Sequence, residues 1–317
     1  MTPPFDTLRL PVFAAPMFLV SGPEMVIAAC KAGIGGAFPT TNCRTVEDLD
    51  GWMARITGAL KPGDAPWIAN LITHSTNARL AEDLRLVAQY KPPVVITALG
   101  SPKPVMETVK AYGGLVFADV ISMTLAKKAA AAGVDGLACV SAGAGGHTGH
   151  LSPFAFISAV REFFDGYIAV GGGVGDGAGI AGAVAAGADF VYMGTRFLAT
   201  TESMAQPAYK QMVIDSGPDD LVVSDSVTGT AASWLKPSLA AAGRDPDNLG
   251  GPAVRDYASG GDNKRWRDIW AAGQGIESVK AVEPVADVVS QLEREYIAAI
   301  ERFERKTFRR PALCGAA

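Results

Sequence analysis

A chain of 317 residues, of which 49% are hydrophobic and 19% charged, can bury a large core and lacks the composition of a disordered protein. Its formal net charge of −4 excludes the broad positive field that binding a nucleic-acid backbone requires. Each long apolar run is interrupted by a charge, a proline or a glycine-rich stretch, so the sequence predicts no membrane span and no membrane partner. These exclusions favour a small molecule as the partner.

The cysteines and the first apolar run indicate the compartment. Cys30, Cys43, Cys139 and Cys314 are widely separated, without the close pairs of zinc sites and disulfide frameworks. The apolar run at 10–20 lacks the basic flank and the cleavage site of a signal peptide. We expect this run to be a buried strand and the protein to be cytoplasmic.

Eight short apolar runs, each followed by a longer helical pattern, recur between residues 10 and 200. Because the runs are continuously apolar, both faces of the sheet must be covered, as in a parallel sheet with helices outside. The predicted strands lie at 12–17, 34–40, 67–72, 94–100, 115–120, 136–141, 167–172 and 190–196. Eight units predict a closed TIM (β/α)8 barrel, since open doubly wound sheets usually have fewer strands.

Helices are predicted between these strands, among them 24–32, 46–60, 78–90, 125–132 and 178–186. Gly33, Gly133 and Gly187 each follow one of these helices, where glycine suits the left-handed residue that ends many helices.

The repeat stops after Phe197. Residues 216–218, 245–247 and 260–262 are rich in turn residues and are separated by short helical pieces, with no convincing strand. We therefore expect residues 203–280 to form an inserted helical cap over the C-terminal face of the barrel.

The end of the chain returns to a regular pattern. Apolar residues recur at helical spacing in 284–305, so this amphipathic helix is predicted to pack back on the barrel. Residues 1–202 and 281–317 would then make up the barrel domain.

The predicted loops after strands seven and eight carry the features of a phosphate site. Gly171, Gly172 and Gly173 lead into a helix, and Gly194 and Thr195 follow the last strand, so backbone and hydroxyl donors can approach an anion. A tight turn or a helix cap explains either loop alone. At these two strands together, the loops favour phosphate binding.

A dinucleotide fingerprint is the competing interpretation of the same glycines. Residues 173–178 match G-x-G-x-x-A, between a strand and a helix. The match falls in the seventh βα unit, and Asp189 comes too soon to be the ribose carboxylate. We therefore rank it behind the phosphate site.

A histidine lies among glycines after predicted strand six. His147 can exchange a proton near physiological pH, and its place at the catalytic face of a barrel predicts a catalytic role. His150 and His74 are predicted to be capping or surface residues. No metal site is predicted, because a pair of His147 and His150 would lack a third ligand: residues 136–160 contain no Asp or Glu.

An ordered set of motifs resembles the nitronate monooxygenase family, formerly called 2-nitropropane dioxygenase, which is similar to the flavin-dependent enoyl-ACP reductases. The motifs are Ala15-Pro16-Met17, Asn70, Ala144-Gly145-Gly146-His147, Gly171-Gly172-Gly173 and Gly194-Thr195-Arg196-Phe197. The resemblance spans residues 8–202, with a weaker echo at 270–275.

The resemblance implies a TIM barrel that binds FMN without a covalent link. Met17 would lie near the isoalloxazine ring, Asn70 would hydrogen-bond it, and Gly145 would approach it. His147 would face its reactive edge as the acid or base. The residues expected at the phosphate end are Gly172, Gly173, Met193, Gly194 and Thr195.

The sequence departs from the family at three positions. Many members have Gln and Glu where this chain has Val140 and Gly143, and Gln where it has Tyr192. These changes leave the FMN expectation intact and leave the subgroup and substrate open.

Three functions stay open. The first is FMN-dependent oxidation of alkyl nitronates or nitroalkanes by oxygen to carbonyl compounds and nitrite; whether the chain forms a homodimer stays open. The second is an NAD(P)H-dependent FMN oxidoreductase acting on an enoyl thioester or a quinone. The third is a colourless barrel that binds a phosphorylated ligand; for it, Asp119 is the only obvious acidic residue at the strand ends, and a structural role explains Asp119 equally well.

Overall fold

Eight parallel strands close into a barrel in the order β1-β2-β3-β4-β5-β6-β8-β9 in the computed structural model, which describes residues 4–253 and 267–306. The strands are Val12–Ala14 (β1), Gly35–Pro39 (β2), Trp67–Ile72 (β3), Val94–Ala98 (β4), Leu115–Val120 (β5), Gly136–Val140 (β6), Tyr167–Gly171 (β8) and Phe190–Met193 (β9). The predicted TIM barrel is confirmed, and each predicted strand overlaps an observed one.

Helices surround the barrel and continue beyond it. They are Pro23–Ala32 (α1), Val46–Ala59 (α2), Leu80–Tyr90 (α3), Lys103–Ala111 (α4), Met123–Ala131 (α5), Pro153–Arg161 (α6), Gly177–Ala185 (α7), Pro207–Asp215 (α8), Lys236–Ala241 (α9) and Val285–Lys306 (α10). Gly33, Gly133 and Gly187 have φ angles of 89°, 82° and 106°, so the predicted left-handed caps are confirmed. As predicted, α10 packs back on the barrel, between α1 and α7.

Aromatic rings fill the lower interior of the barrel. Phe13 and Phe190 stack with their centroids 4.4 Å apart, and Phe5 packs 4.5 Å from Phe190 at the N-terminal end. Phe117 packs beside them in the same cluster. Because this layer is solid, any ligand has to enter from the opposite, C-terminal face.

Residues 203–280 contain strands as well as helices. Besides α8 and α9, this segment forms Leu221–Ser224 (β10) and Ala232–Leu235 (β11), and a short strand from the histidine loop, Gly146–His147 (β7), completes an antiparallel sheet in the order β10-β11-β7. The expectation that this segment lacks strands is wrong. The two strands are only four residues long and stand among turn residues, so they carry little periodic signal.

Cys30, Cys43 and Cys139 are buried free thiols, and burial raises the pKa of each to about 12. Cys314 and the predicted turn at 260–262 lie outside the described residues. None of the helices in the described ranges is long and apolar enough to cross a membrane.

Candidate functional site

The uppermost interior layer of the barrel is the floor of a cavity of about 490 Å³. Side chains two positions apart on a strand point to the same side of the sheet. On each barrel strand, the residue two positions after a residue of the interior core therefore points into the barrel and forms part of the floor. The floor residues are Ala15, Pro39, Asn70, Ala98, Asp119, Val140, Gly171 and Tyr192. Most of them are small or apolar, which leaves room for a ligand at the face where barrel enzymes place their active sites.

The loop after β1 forms one wall of the cavity and is fixed by Asn42. The Asn42 amide donates to the backbone oxygens of Met17 (3.1 Å) and Ser21 (2.8 Å), and its oxygen accepts from the Leu19 N–H (2.8 Å). Leu19 has a φ of 59°, a left-handed conformation that these bonds hold in place. Met17 therefore lines the cavity in a set position.

The histidine loop is held from two sides. Gly146 and His147 pair with Ser233 and Ala232 of β11, and the hydroxyl of Thr148 donates to the carbonyl oxygen of Ser141 at 3.1 Å. The backbone of His147 is therefore fastened both to the end of β6 and to the 203–280 segment.

The imidazole of His147 lines the cavity, and burial lowers its pKa from 6.5 to about 4. The ring is uncharged at neutral pH, so it can accept a proton but has none to give as an imidazolium.

The loop after β8 needs glycine for backbone reasons. Gly172 has a φ of 138°, and a Cβ there would lie 2.6 Å from the carbonyl oxygen of Ala142. Gly173 has a φ of 73°, and its N–H donates to the carbonyl oxygen of Gly143 at 3.1 Å. These glycines therefore shape the loop, and one of their N–H groups is already occupied.

Two neighbouring helix starts differ in what they offer an anion. The start of α7 is capped by Asp176, whose carboxylate accepts from the Gly179 N–H at 2.7 Å and would repel a phosphate. The 3-10 helix Thr195–Phe197 follows Gly194, and both Gly194 and Thr195 line the cavity. The first N–H groups of a helical turn have no partner within it, so this turn is the better cradle for a phosphate.

Most of the predicted site residues meet in one place. Those that line the cavity are Met17, Asn70, Gly145, His147, Gly173, Gly194 and Thr195. Gly172 lines an adjoining cavity of about 570 Å³ instead. The side chain of Met193 is buried in the core outside the barrel, and its carbonyl oxygen accepts from the N–H of Ala15, which follows the neighbouring strand β1, at 2.9 Å, so Met193 does not line the cavity.

Asp119 and Tyr192 are the polar floor residues to which the sequence analysis gave no role in the site. Oδ1 of Asp119 is buried without a hydrogen-bond partner among the described residues. Burial raises the pKa of Asp119 to about 7, while a hydrogen bond from Tyr192 acts in the lowering direction. Strand alternation from Phe117 and Phe190 could have placed both side chains inside the barrel.

The 203–280 segment adds residues to the upper wall, three of them from the weak 270–275 motif and three that the sequence did not indicate. They are Tyr209, Thr228, Ile269, Ala271, Gly273 and Gly275. The ring of Tyr209 stacks on Trp270 at 5.0 Å, and the Gly273 N–H donates to the hydroxyl of Thr195 at 2.8 Å. The weak 270–275 motif therefore contacts the Gly194–Thr195 loop directly.

The other histidines lie apart from these contacts. His74 is hydrogen-bonded to the hydroxyl of Thr76 at 2.8 Å, and His150 is exposed. Within residues 4–253 and 267–306, no three His, Cys, Asp or Glu side chains are grouped so that they could hold a metal ion.

The sequence profile of the nitronate monooxygenase family matches residues 4–295. The chain belongs to this family. It is 26% identical to the nitronate monooxygenase of Paraburkholderia phytofirmans over 93% of this chain and 94% of that protein. As a family member it is an oxidoreductase.

One further sequence and one solved structure are also similar to this chain. A (3aS,4S,5R,7aS)-5-hydroxy-7a-methyl-1-oxo-octahydro-1H-indene-4-carboxyl-CoA dehydrogenase of Rhodococcus jostii is 30% identical over 72% of this chain and 63% of its own length. The nitroalkane oxidase of Streptomyces ansochromogenes superposes with a TM-score of 0.81 at 23% identity, covering 94% of this chain and 99% of that one. At this identity, the second likeness shows the shared fold.

Proposed function

We propose that this chain holds FMN in the cavity and oxidises nitroalkanes or their nitronates with oxygen, giving a carbonyl compound and nitrite. The observation that carries the proposal is an uncharged His147 facing a cavity whose rim offers a phosphate cradle at the Thr195–Phe197 turn. When bound, FMN supplies the electron acceptor for the organic substrate and the route to oxygen.

The residues around the cavity fit an FMN molecule. Gly194 is open toward the cavity: a Cβ there would make only an ordinary 3.5 Å contact with Sδ of Met17. The Asn70 amide donates to the Ile96 carbonyl at 3.3 Å, which leaves its oxygen and second N–H for a ring edge. Gly172 and Gly173 would shape the loop beside the phosphate, and Met193 would support Gly194 and Thr195 from the end of β9.

His147 is the residue proposed to move a proton. The uncharged imidazole can take the α-proton of a neutral nitroalkane, and contact with the substrate has to stabilise the imidazolium that forms, because burial lowers the pKa of His147 to about 4 in the empty cavity. In this proposal, residues 1–202 and 281–317 form the barrel domain. Residues 203–280 close the cavity and hold β7.

The test measures oxygen consumption and nitrite release with 2-nitropropane and with propane-2-nitronate. His147→Ala should keep the bound cofactor and lower turnover of 2-nitropropane by about 10²–10⁴-fold, because a general base contributes that much. His150→Ala, an exposed histidine three residues away, is the matched control and should stay near the parent rate. Equal rates in the parent and His147→Ala proteins would assign the histidine to structure.

An NAD(P)H-dependent reaction on an enoyl thioester is the second candidate. Two observations favour it: the Rhodococcus relative is named for an acyl-CoA substrate, and Ile121 and Leu125, both exposed, give the cavity an apolar mouth. Anaerobic addition of NADPH should then reduce the cofactor quickly. A strict nitroalkane oxidase should show no such reduction.

A further inference from the structure

The floor of the cavity contains one ionisable carboxyl group, that of Asp119 on β5. Its Oδ1 atom is buried and has no hydrogen-bond partner within the described part of the chain, although the side chain lines the cavity. Tyr192 on β9 makes a hydrogen bond to the same carboxyl group. Buried polar atoms are normally hydrogen-bonded, so the Oδ1 atom needs a proton of its own or a polar atom of a bound molecule. The proposed reaction of His147 does not use this group.

The groups around Asp119 leave a negative charge on its carboxyl group unbalanced. Burial raises the pKa of Tyr192 well above its usual value, so the phenol stays neutral, and Asn70 on β3 is a neutral amide. Cys139 on the adjacent β6 is a thiol whose pKa is also raised, and His147 shares the cavity as an uncharged ring. No lysine or arginine among the residues that the structure describes lines the cavity.

An FMN molecule in this cavity would cover the floor and exclude water from Asp119. Without water to screen it, the charge of the carboxyl group and the charge of the cofactor act strongly on each other. A flavin that takes up two electrons and one proton becomes an anion, so reduction brings a negative charge into the same closed cavity. A nearby negative charge favours the protonated form of a carboxyl group. Reduction of the cofactor should therefore draw a proton onto Asp119.

We propose that Asp119 takes up a proton each time the bound flavin is reduced, so that the net charge of the cavity does not change. The two electrons come from the organic substrate or from another two-electron donor. One proton goes to the flavin and a second goes from solvent to the carboxyl group of Asp119, so two positive and two negative charges enter together. Reoxidation returns the proton of Asp119 to solvent. The inference rests on the proposed function only in taking FMN as the cofactor of this cavity.

The proton uptake depends on pH in a defined direction. Burial raises the pKa of Asp119 to about 7 in the absence of a cofactor, and exclusion of further water acts in the same direction. Below the pKa that Asp119 has beside the oxidised flavin, the carboxyl group already holds its proton and takes up no other. Above that pKa, each reduction brings one extra proton, so the equilibrium constant for reduction falls by an extra factor of about ten per pH unit. For a two-electron couple this factor corresponds to about 30 mV.

The experiment measures the midpoint potential of the FMN-loaded protein at half-unit steps from pH 6 to pH 9.5, with reference dyes and a slow enzymatic source of electrons. The potentials of the parent and Asp119→Asn should agree at the acidic end. At higher pH the parent potential should fall more steeply than that of the variant, by about 30 mV per pH unit. Comparison with Asp119→Asn cancels the protons that the flavin itself takes up. His147→Gln is the control and should keep the steeper slope, which distinguishes Asp119 from the other titratable group of the cavity.

A second variant probes the same carboxyl group without removing it. The Tyr192 hydrogen bond favours the ionised form of Asp119, so Tyr192→Phe should move the onset of the steeper slope to higher pH. This shift is the deciding readout if Asp119→Asn does not fold.

Two results would overturn the proposal about Asp119 alone. They are equal slopes in the parent and Asp119→Asn over the whole pH range, and loss of the steeper slope in His147→Gln. A protein that binds no flavin shows no visible absorbance, and this result would overturn the proposed cofactor together with the role of Asp119. Failure of nitroalkane oxidation is a separate result, because the titration with dyes uses no nitroalkane.

Discussion

Replacing His147 by glutamine should change how the stability of the cofactor-free protein depends on pH. The folded protein holds this imidazole uncharged down to a pKa of about 4, whereas in the unfolded chain it takes a proton near pH 6.5. Between these values the unfolded state binds one more proton, so the parent loses stability as the pH falls. The difference between the two pKa values corresponds to about 3 kcal/mol, or about 1.4 kcal/mol per pH unit.

The assay is urea unfolding of the parent and His147→Gln proteins at half-unit steps from pH 4 to pH 8, followed by circular dichroism. Subtracting the two curves cancels the groups that both proteins share. The parent should lose about 3 kcal/mol relative to the variant from pH 7 to pH 4. His150→Gln shows what removal of an exposed histidine from the same loop does. A difference that stays constant within about 1 kcal/mol would refute the buried, uncharged imidazole.

Three further predictions concern Asp119 on the cavity floor, the glycines of the loops after β8 and β9, and the β10-β11-β7 sheet. Burial raises the pKa of Asp119, so its contribution to the free energy of unfolding should be present below pH 4 and lost as the pH rises toward 7. The difference in unfolding free energy between the parent and Asp119→Asn should therefore slope with pH in the opposite direction to the difference for His147→Gln. A parallel slope would contradict this. Gly172→Ala should cost about 1–3 kcal/mol of stability through strain and the contact with Ala142, whereas Gly194→Ala should fold normally; equal melting temperatures would count against the strained loop. Ser233→Pro in the central strand β11 should lower turnover without loss of bound cofactor, while Val223→Pro in the edge strand β10 should do less; equal turnover in both would separate the sheet from catalysis.

The barrel could be predicted from the sequence because its signals are local. The strands at 67–72 and 115–120 are apolar runs that coincide with β3 and β5 at both ends, and glycines mark helix ends at their predicted places. The histidine loop and the 194–195 loop then follow from strand order alone, since all parallel strands of a barrel end at one face.

What the sequence could not provide depends on contacts between distant segments. The pairing of β11 with Gly146 and His147 joins a four-residue strand to a two-residue strand more than 80 positions earlier in the chain. The state of the Asp119 carboxyl group depends on burial and on Tyr192, which lies three strands further around the barrel. Local sequence patterns indicate neither this strand pairing nor the protonation state of Asp119. The inward direction of the Asp119 and Tyr192 side chains, in contrast, could be predicted from strand alternation.

We propose that the cavity holds a flavin and that a nitroalkane or nitronate reduces this flavin near His147. The most direct measurement is the visible spectrum of the purified protein during anaerobic titration with propane-2-nitronate. We expect a yellow protein whose flavin absorbance is altered or bleached on titration and recovers when oxygen is admitted. A colourless protein, or a flavin spectrum unchanged by excess nitronate, would contradict it.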